Sequence, residues 1–104
     1  MKQIIAVLKP FRAEAVLKAL GEADVEFCVV SEAKGYGRQK GYLDRYMGSE
    51  YSMAFLPKVQ IVVWAADEQV EHVIGKIVSA GRTGRMGDGK LLVLPVLESL
   101  SLDS

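Results

Sequence analysis

Cysteine is nearly absent from this chain: of 104 residues, Cys28 is the sole example. No internal disulfide can form, so folding rests on packing alone, and a reducing cytoplasm is the compartment that fits such usage. Histidine is equally scarce, and one His with one Cys gives no readable metal site. Charge of one sign is not in excess, with 13 basic side chains against 13 acidic ones. That balance excludes a protein devoted to neutralising nucleic-acid phosphates; any anion site must be local. No apolar run approaches the roughly 18 residues that a membrane helix needs. Catalytic groupings are missing as well. Ser31 and Ser52 have no triad context, and His72 beside Glu71 reads as a solvated side chain, because a general base needs a positioned partner. The chain does not look like an enzyme. What remains is a half-apolar, quarter-charged sequence, which reads as one packed domain over residues 1 to 104 with a modest core.

Local patterning divides that domain into two similar halves. Residues 2 to 8 (KQIIAVL) are apolar on nearly every position and halted near Pro10, the pattern of a strand buried on both faces. Residues 13 to 22 place Val16, Leu17 and Leu20 on one side and Glu14, Lys18 and Glu22 on another, which predicts an amphipathic helix. Strands are expected over 25 to 33, 58 to 65 and 91 to 97. Between the last two, Val70, Val73, Ile74, Ile77 and Val78 give the cleanest helical period, within residues 67 to 80. Cys28 falls in an apolar strand, where it reads as a small buried hydrophobe. Trp64 reads as core or interface. The order strand, helix, strand, strand, helix, strand is the split βαβ pattern of an α+β, ferredoxin-like sandwich.

Helices in this topology cover one sheet face, yet three of the four strands are apolar on both. Leaving the second face wet would forgo about 25 cal/mol for each Å² of apolar surface, and the chain has too few residues left to cover it. Other copies of the chain are the expected cover, which predicts a compact homo-oligomer.

Two glycine-rich basic stretches end the two halves: KGYGRQKG over 34 to 41 and GRTGRMGDGK over 81 to 90. The second contains the G-x-x-x-x-G-K spacing of a nucleotide-binding P-loop. Leu91 stands where a magnesium-holding hydroxyl is required, however, and a strand follows instead of a helix, so that motif is rejected. What survives is a backbone nest suited to an anion, with Lys90, Arg82 and Arg85 beside it, or else a plain glycine turn. Residues 37 to 55 have no sustained period and carry Tyr42, Tyr46 and Tyr51, the composition of a functional loop that docks on a partner.

The runs KP at 9 to 10, KGYGRQKG at 34 to 41, GSEY at 48 to 51, FLPKV at 55 to 59 and TGRMGDGK at 83 to 90 resemble those of the PII signal-transduction proteins, the nitrogen regulators. The resemblance runs in register over about residues 1 to 96. It implies a homotrimer of ferredoxin-like subunits that binds ATP or ADP in clefts between subunits. Gly35, Gly37 and Arg38 would line one side, with Gly87, Asp88, Gly89 and Lys90 at the phosphates. It implies 2-oxoglutarate as an effector beside ATP and Mg2+, with Gln39 reaching the metal, Lys58 the dicarboxylate, and Lys40 and Gly41 completing the loop base. Residues 37 to 55 would be the T-loop, docking on a membrane transporter or metabolic enzyme from a cytoplasmic location. Tyr51 and Ser49 match positions that some members modify.

The sequence departs from that family at its end, residues 97 to 104, where a basic segment would supply two arginines to the phosphates. Ser101 and Asp103 stand there instead. Charge-assisted hydrogen bonds contribute about 1.5 to 3 kcal/mol each, so the change lowers the expected ATP affinity by roughly two to four decades unless Arg82 or Arg85 compensates. Val29 replaces an adenine-side Thr. The alternative is therefore an interaction protein that has lost or changed its nucleotide and docks constitutively.

Overall fold

The computed structural model describes residues 1–35, 56–85 and 87–103. Four antiparallel strands form one sheet: β1 (Lys2–Leu8), β2 (Phe27–Gly35), β3 (Leu56–Ala65) and β4 (Gly89–Pro95), in the spatial order β2-β3-β1-β4. Two helices, α1 (Pro10–Gly21) and α2 (Val70–Gly81), pack on one face of it. This is the α+β, ferredoxin-like arrangement that the element order predicts.

The differences from expectation lie at the boundaries, and each has a local cause. Pro10 ends β1 but is also the first helical residue, where its missing N–H costs nothing, so α1 starts three residues before the amphipathic pattern does. Leu17 proves 37% exposed, leaving Val16 and Leu20 as the buried residues of α1. The stretch 67 to 80 splits into a 3-10 turn (Asp67–Gln69) and α2, with Asp67 and Glu68 in the opening turn. Strand β2 runs two residues later than expected, since Gly35 pairs with Leu56. Strand β4 begins two residues early, because Gly89 and Lys90 pair with Leu8 and Val7.

Register explains the core. Ile4, Ala6 and Leu8 of β1 lie beside Val63, Ile61 and Val59 of β3, and Ala65 lies opposite Lys2. Alternation sends this set to the helix side, where Ile4, Ile61, Val63, Val16 and Val73 are fully buried. The helices approach closely: a Cβ on Gly81 would lie 3.3 Å from Val16 Cγ2. Across the same seam Arg12 Nε donates to the Ala80 carbonyl at 2.9 Å, holding one of the carbonyls that a helix end leaves free. Cys28 is half-buried, packing against this core from the edge strand β2.

Among the described residues the second face has no such cover. Ile5, Val7, Phe27, Val29, Val62, Trp64, Leu92 and Leu94 point to it by alternation. Val62, at its centre, is 8% exposed, but Phe27 is 61% and Leu92 52% exposed. Phe27 and Trp64 meet with ring centroids 5.6 Å apart, and Trp64 is half-buried by that contact. After β4 the chain runs on irregularly, and Leu97, Leu100 and Leu102 are almost wholly exposed.

Candidate functional site

Chemistry-bearing residues collect at one end of the sheet. The C-terminal ends of β1 and β2 and the N-terminal ends of β3 and β4 meet there, since Glu32, Val59, Leu8 and Gly89 form a row across the four strands. Lys9 follows β1, Lys58 opens β3, and residues 82 to 88 join α2 to β4. Gly35 and Leu56 are paired at this end as well, so the intervening segment leaves and returns at one place.

The segment entering β4 turns on glycine. Gly84, Gly87 and Gly89 have φ of 83°, 85° and 125°, conformations that other L-residues rarely adopt. Gly89 has a second constraint: a Cβ there would fall 1.8 Å from the Val7 carbonyl oxygen. Only glycine lets β4 begin so close to β1.

Asp88 organises this turn from within. Its Oδ2 accepts the backbone N–H groups of Thr83 at 2.9 Å and Gly84 at 2.8 Å. Its Oδ1 accepts the Thr83 hydroxyl and lies 3.3 Å from Lys9 Nζ. The Thr83 hydroxyl oxygen in turn accepts the Arg85 N–H at 3.2 Å. Hydrogen bonding from the Thr83 hydroxyl, then from the two backbone amides and Lys9, holds the Asp88 carboxyl far below the usual carboxylate range despite some desolvation. On the other flank Lys58, only 9% exposed, donates from Nζ to the Gly87 carbonyl at 2.7 Å. Burial and then the neighbouring Lys9 charge lower the Lys58 pKa, with Asp88 opposing them.

Arg82, Arg85 and Lys90 stand exposed around this turn. Beside it, a cleft of about 240 Å³ runs between β1, β4 and the end of α2, lined by Val7, Gly81, Arg82, Asp88, Gly89 and Lys90 among others. A second hollow, of about 510 Å³, lies between Pro10, Lys34, Pro57 and Lys58. The charged side chains at the glycine turn are cationic apart from Asp88, whose oxygens are already engaged, so the turn suits an anion, while Glu32 lines the second hollow beside Lys34 and Lys58. Among the described residues no group of three His, Cys, Asp or Glu could hold a metal ion.

Of the residues expected to act together, the structure brings Lys58, Gly87, Asp88, Gly89 and Lys90 to this one end, and Gly35 to the same end of the sheet. Gly37, Arg38, Gln39, Lys40, Gly41, Ser49 and Tyr51, with the rest of 37 to 55, lie outside the described residues. Gly35 and Lys90 sit on opposite edge strands, three strand spacings of about 4.8 Å apart across the sheet and offset by four rows along it. Ser101 and Asp103 lie at the far end of the sheet, where they hydrogen-bond to each other beside Phe27 and Trp64. Sequence reasoning missed Thr83 and the brace that Lys9 provides. An Asp or Thr within a glycine turn is the signal that marks such side-chain bonds to nearby backbone.

The chain as a whole is matched by known proteins. The family profile described as nitrogen regulatory protein P-II matches residues 1–102. The chain is 50% identical over 98 residues to the nitrogen regulatory protein P-II of Azospirillum brasilense, covering 94% of this chain and 88% of that one. It is 48% identical over 102 residues to that of Rhizobium meliloti, covering 98% and 91%, and 45% identical over 96 residues to that of Microchaete diplosiphon, covering 92% and 86%. Fold, glycine turn and near-complete coverage at this identity agree: the chain belongs to the P-II family of nitrogen regulatory proteins.

Proposed function

We propose that the chain acts in nitrogen signalling as a homotrimeric sensor, without catalysis, that binds ADP or ATP in clefts between copies and reports the bound state to a partner. The observation that carries this reading is the split of the anion-suited parts between the two edges of the sheet. Glycine and cations end β2 at one edge and precede β4 at the other. Two copies placed edge to edge bring unlike edges together, so one site is built from two chains. The uncovered apolar face supplies the drive for that association.

In this reading Gly35, Gly37 and Arg38 of one copy face Gly87, Asp88, Gly89 and Lys90 of the next, with Lys90 a point charge for phosphate. Gln39, Lys40, Gly41 and Lys58 respond to 2-oxoglutarate, and Mg2+ is carried by nucleotide oxygens and Gln39. Residues 37 to 55 form the T-loop, whose ends meet at Gly35 and Leu56. It meets a transporter or metabolic enzyme from the cytoplasm, and Ser49 and Tyr51 are its modification sites. Ligands favour one loop state over another, and the partner reads which is present. The domain is single, with residues 97 to 104 as a departure from the family pattern. No helix among the described residues is long and apolar enough to cross a membrane.

Calorimetric titration of ATP, ADP, AMP and 2-oxoglutarate tests the reading. Saturable binding of an adenine nucleotide in the micromolar to millimolar range is expected, and ADP is expected to suffer less than ATP from the loss of two cations at 101 and 103. Heat from none of the four would refute it. A second reading, a trimer that docks on its partner regardless of nucleotide, is favoured by the absence of any basic side chain from residue 91 onward. Partner capture unchanged by every ligand would establish that one.

A further inference from the structure

We propose that the Asp88 side chain is a positioning group that braces the glycine turn from inside, and that its carboxylate, unlike the backbone of the turn, makes no contact with the bound nucleotide. The proposal rests on the nucleotide reading above and refines the role of one residue within it. A carboxylate offers about four lone-pair sites. At Asp88 these meet four donors: the Thr83 and Gly84 N–H groups on one oxygen, the Thr83 hydroxyl and the Lys9 ammonium on the other. No acceptor capacity is left for a ligand hydroxyl or amine, and a negative charge cannot itself attract phosphate.

What the brace does follows from the glycines. A segment with Gly84, Gly87 and Gly89 all at positive φ has few side chains to restrict it and loses much conformational freedom on ordering. Asp88 closes the segment on itself across Thr83 and Gly84, while Lys58 holds the Gly87 carbonyl from the sheet side. Lys9 ties the closed turn to the end of β1. The backbone that would face phosphate is thereby set before the ligand arrives, and the ordering cost is met during folding.

The sign of a charge-removing substitution separates brace from neighbour. If Asp88 merely stood near the phosphates, Asp88→Asn would relieve repulsion and tighten binding. As a brace it needs two anionic oxygens, which Asn lacks. The test is ADP affinity by calorimetry, with EDTA present so that no metal bridge contributes, together with the amide proton resonances of Thr83 and Gly84. Asp88→Asn is expected to weaken ADP at least about tenfold and to shift both resonances. Thr83→Val should act in the same direction and Thr83→Ser should restore wild-type affinity. That pair also decides the matter if Asp88→Asn does not fold. Undiminished or tighter ADP binding by Asp88→Asn, or equal binding by Thr83→Val and Thr83→Ser, would overturn the assignment while the wild type still binds. Failure of the wild type itself to bind ADP would overturn the nucleotide reading and this assignment with it.

Discussion

Individual side chains at the glycine-turn end have opposite electrostatic circumstances, and each yields its own prediction. The folded pKa of Asp88 lies below its unfolded value, so its contribution is present above the ordinary carboxylate range and is lost as pH falls through the depressed folded value. The Thr83 and Gly84 amide resonances should therefore stay constant through pH 4, where free carboxylates protonate, and move only in stronger acid. Lys58 is the reverse case. Its folded pKa is lowered, chiefly by burial, so its charge opposes folding at neutral pH, and stability should rise as pH climbs through the folded value toward the unfolded one. Lys58→Met is expected to leave unfolding free energy by urea within about 1 kcal/mol of wild type or slightly above it, because a nearly buried cation with no ion-paired carboxylate among the described residues is replaced by an apolar chain. Any response to 2-oxoglutarate should disappear with it. These two residues also mark what the sequence reveals and what it hides. Lys58 and Asp88 are conspicuous as charges beside glycine or strand, but which donors Asp88 turns to depends on backbone dihedrals that the Asp and Thr of a glycine turn mark without fixing.

Elements were legible where apolar residues run unbroken or keep a helical period. Strand β1 and helix α2 have the cleanest patterns, and Val73 and Ile77 are buried as that period requires. Ends were less legible, because Pro10 both stops a strand and starts a helix, and Gly89 belongs to a strand only through its approach to Val7. The same approach makes Gly89→Ala a sensitive substitution: a positive φ and a backbone oxygen inside the Cβ position together should cost more than about 1 kcal/mol and separate the first rungs of the β1–β4 ladder, seen as faster amide exchange at Val7 and Lys90. In the shared core, Ile61→Ala should cost about 2 to 5 kcal/mol in urea unfolding, since Ile61 is fully enclosed between β1, β2 and the helices. The half-site was harder to read than the fold. Both glycine stretches are visible in the sequence, but that Gly35 and Gly89 lie on opposite edges follows from the strand order β2-β3-β1-β4, which long-range pairing decides.

The molecule as a whole is unfinished as a lone chain. One sheet face is packed under two helices, whereas the other presents Phe27, Val29, Leu92 and Leu94 to water, a patch of the kind that marks an interface. This much was foreseeable from strands apolar on both sides, and it links assembly to ligand binding: if the site needs two edges, a monomer cannot hold nucleotide. Leu92→Glu places a charge on the exposed part of that face, away from the buried helix-side core, and should yield a folded monomer by sedimentation with a far-ultraviolet spectrum like that of wild type. The most direct test is the calorimetric titration of ADP into wild type and Leu92→Glu at equal protomer concentration. One saturable site per protomer is expected in wild type and no measurable binding in the monomer; equal affinity in the monomer, or none in wild type, would contradict a site shared between copies.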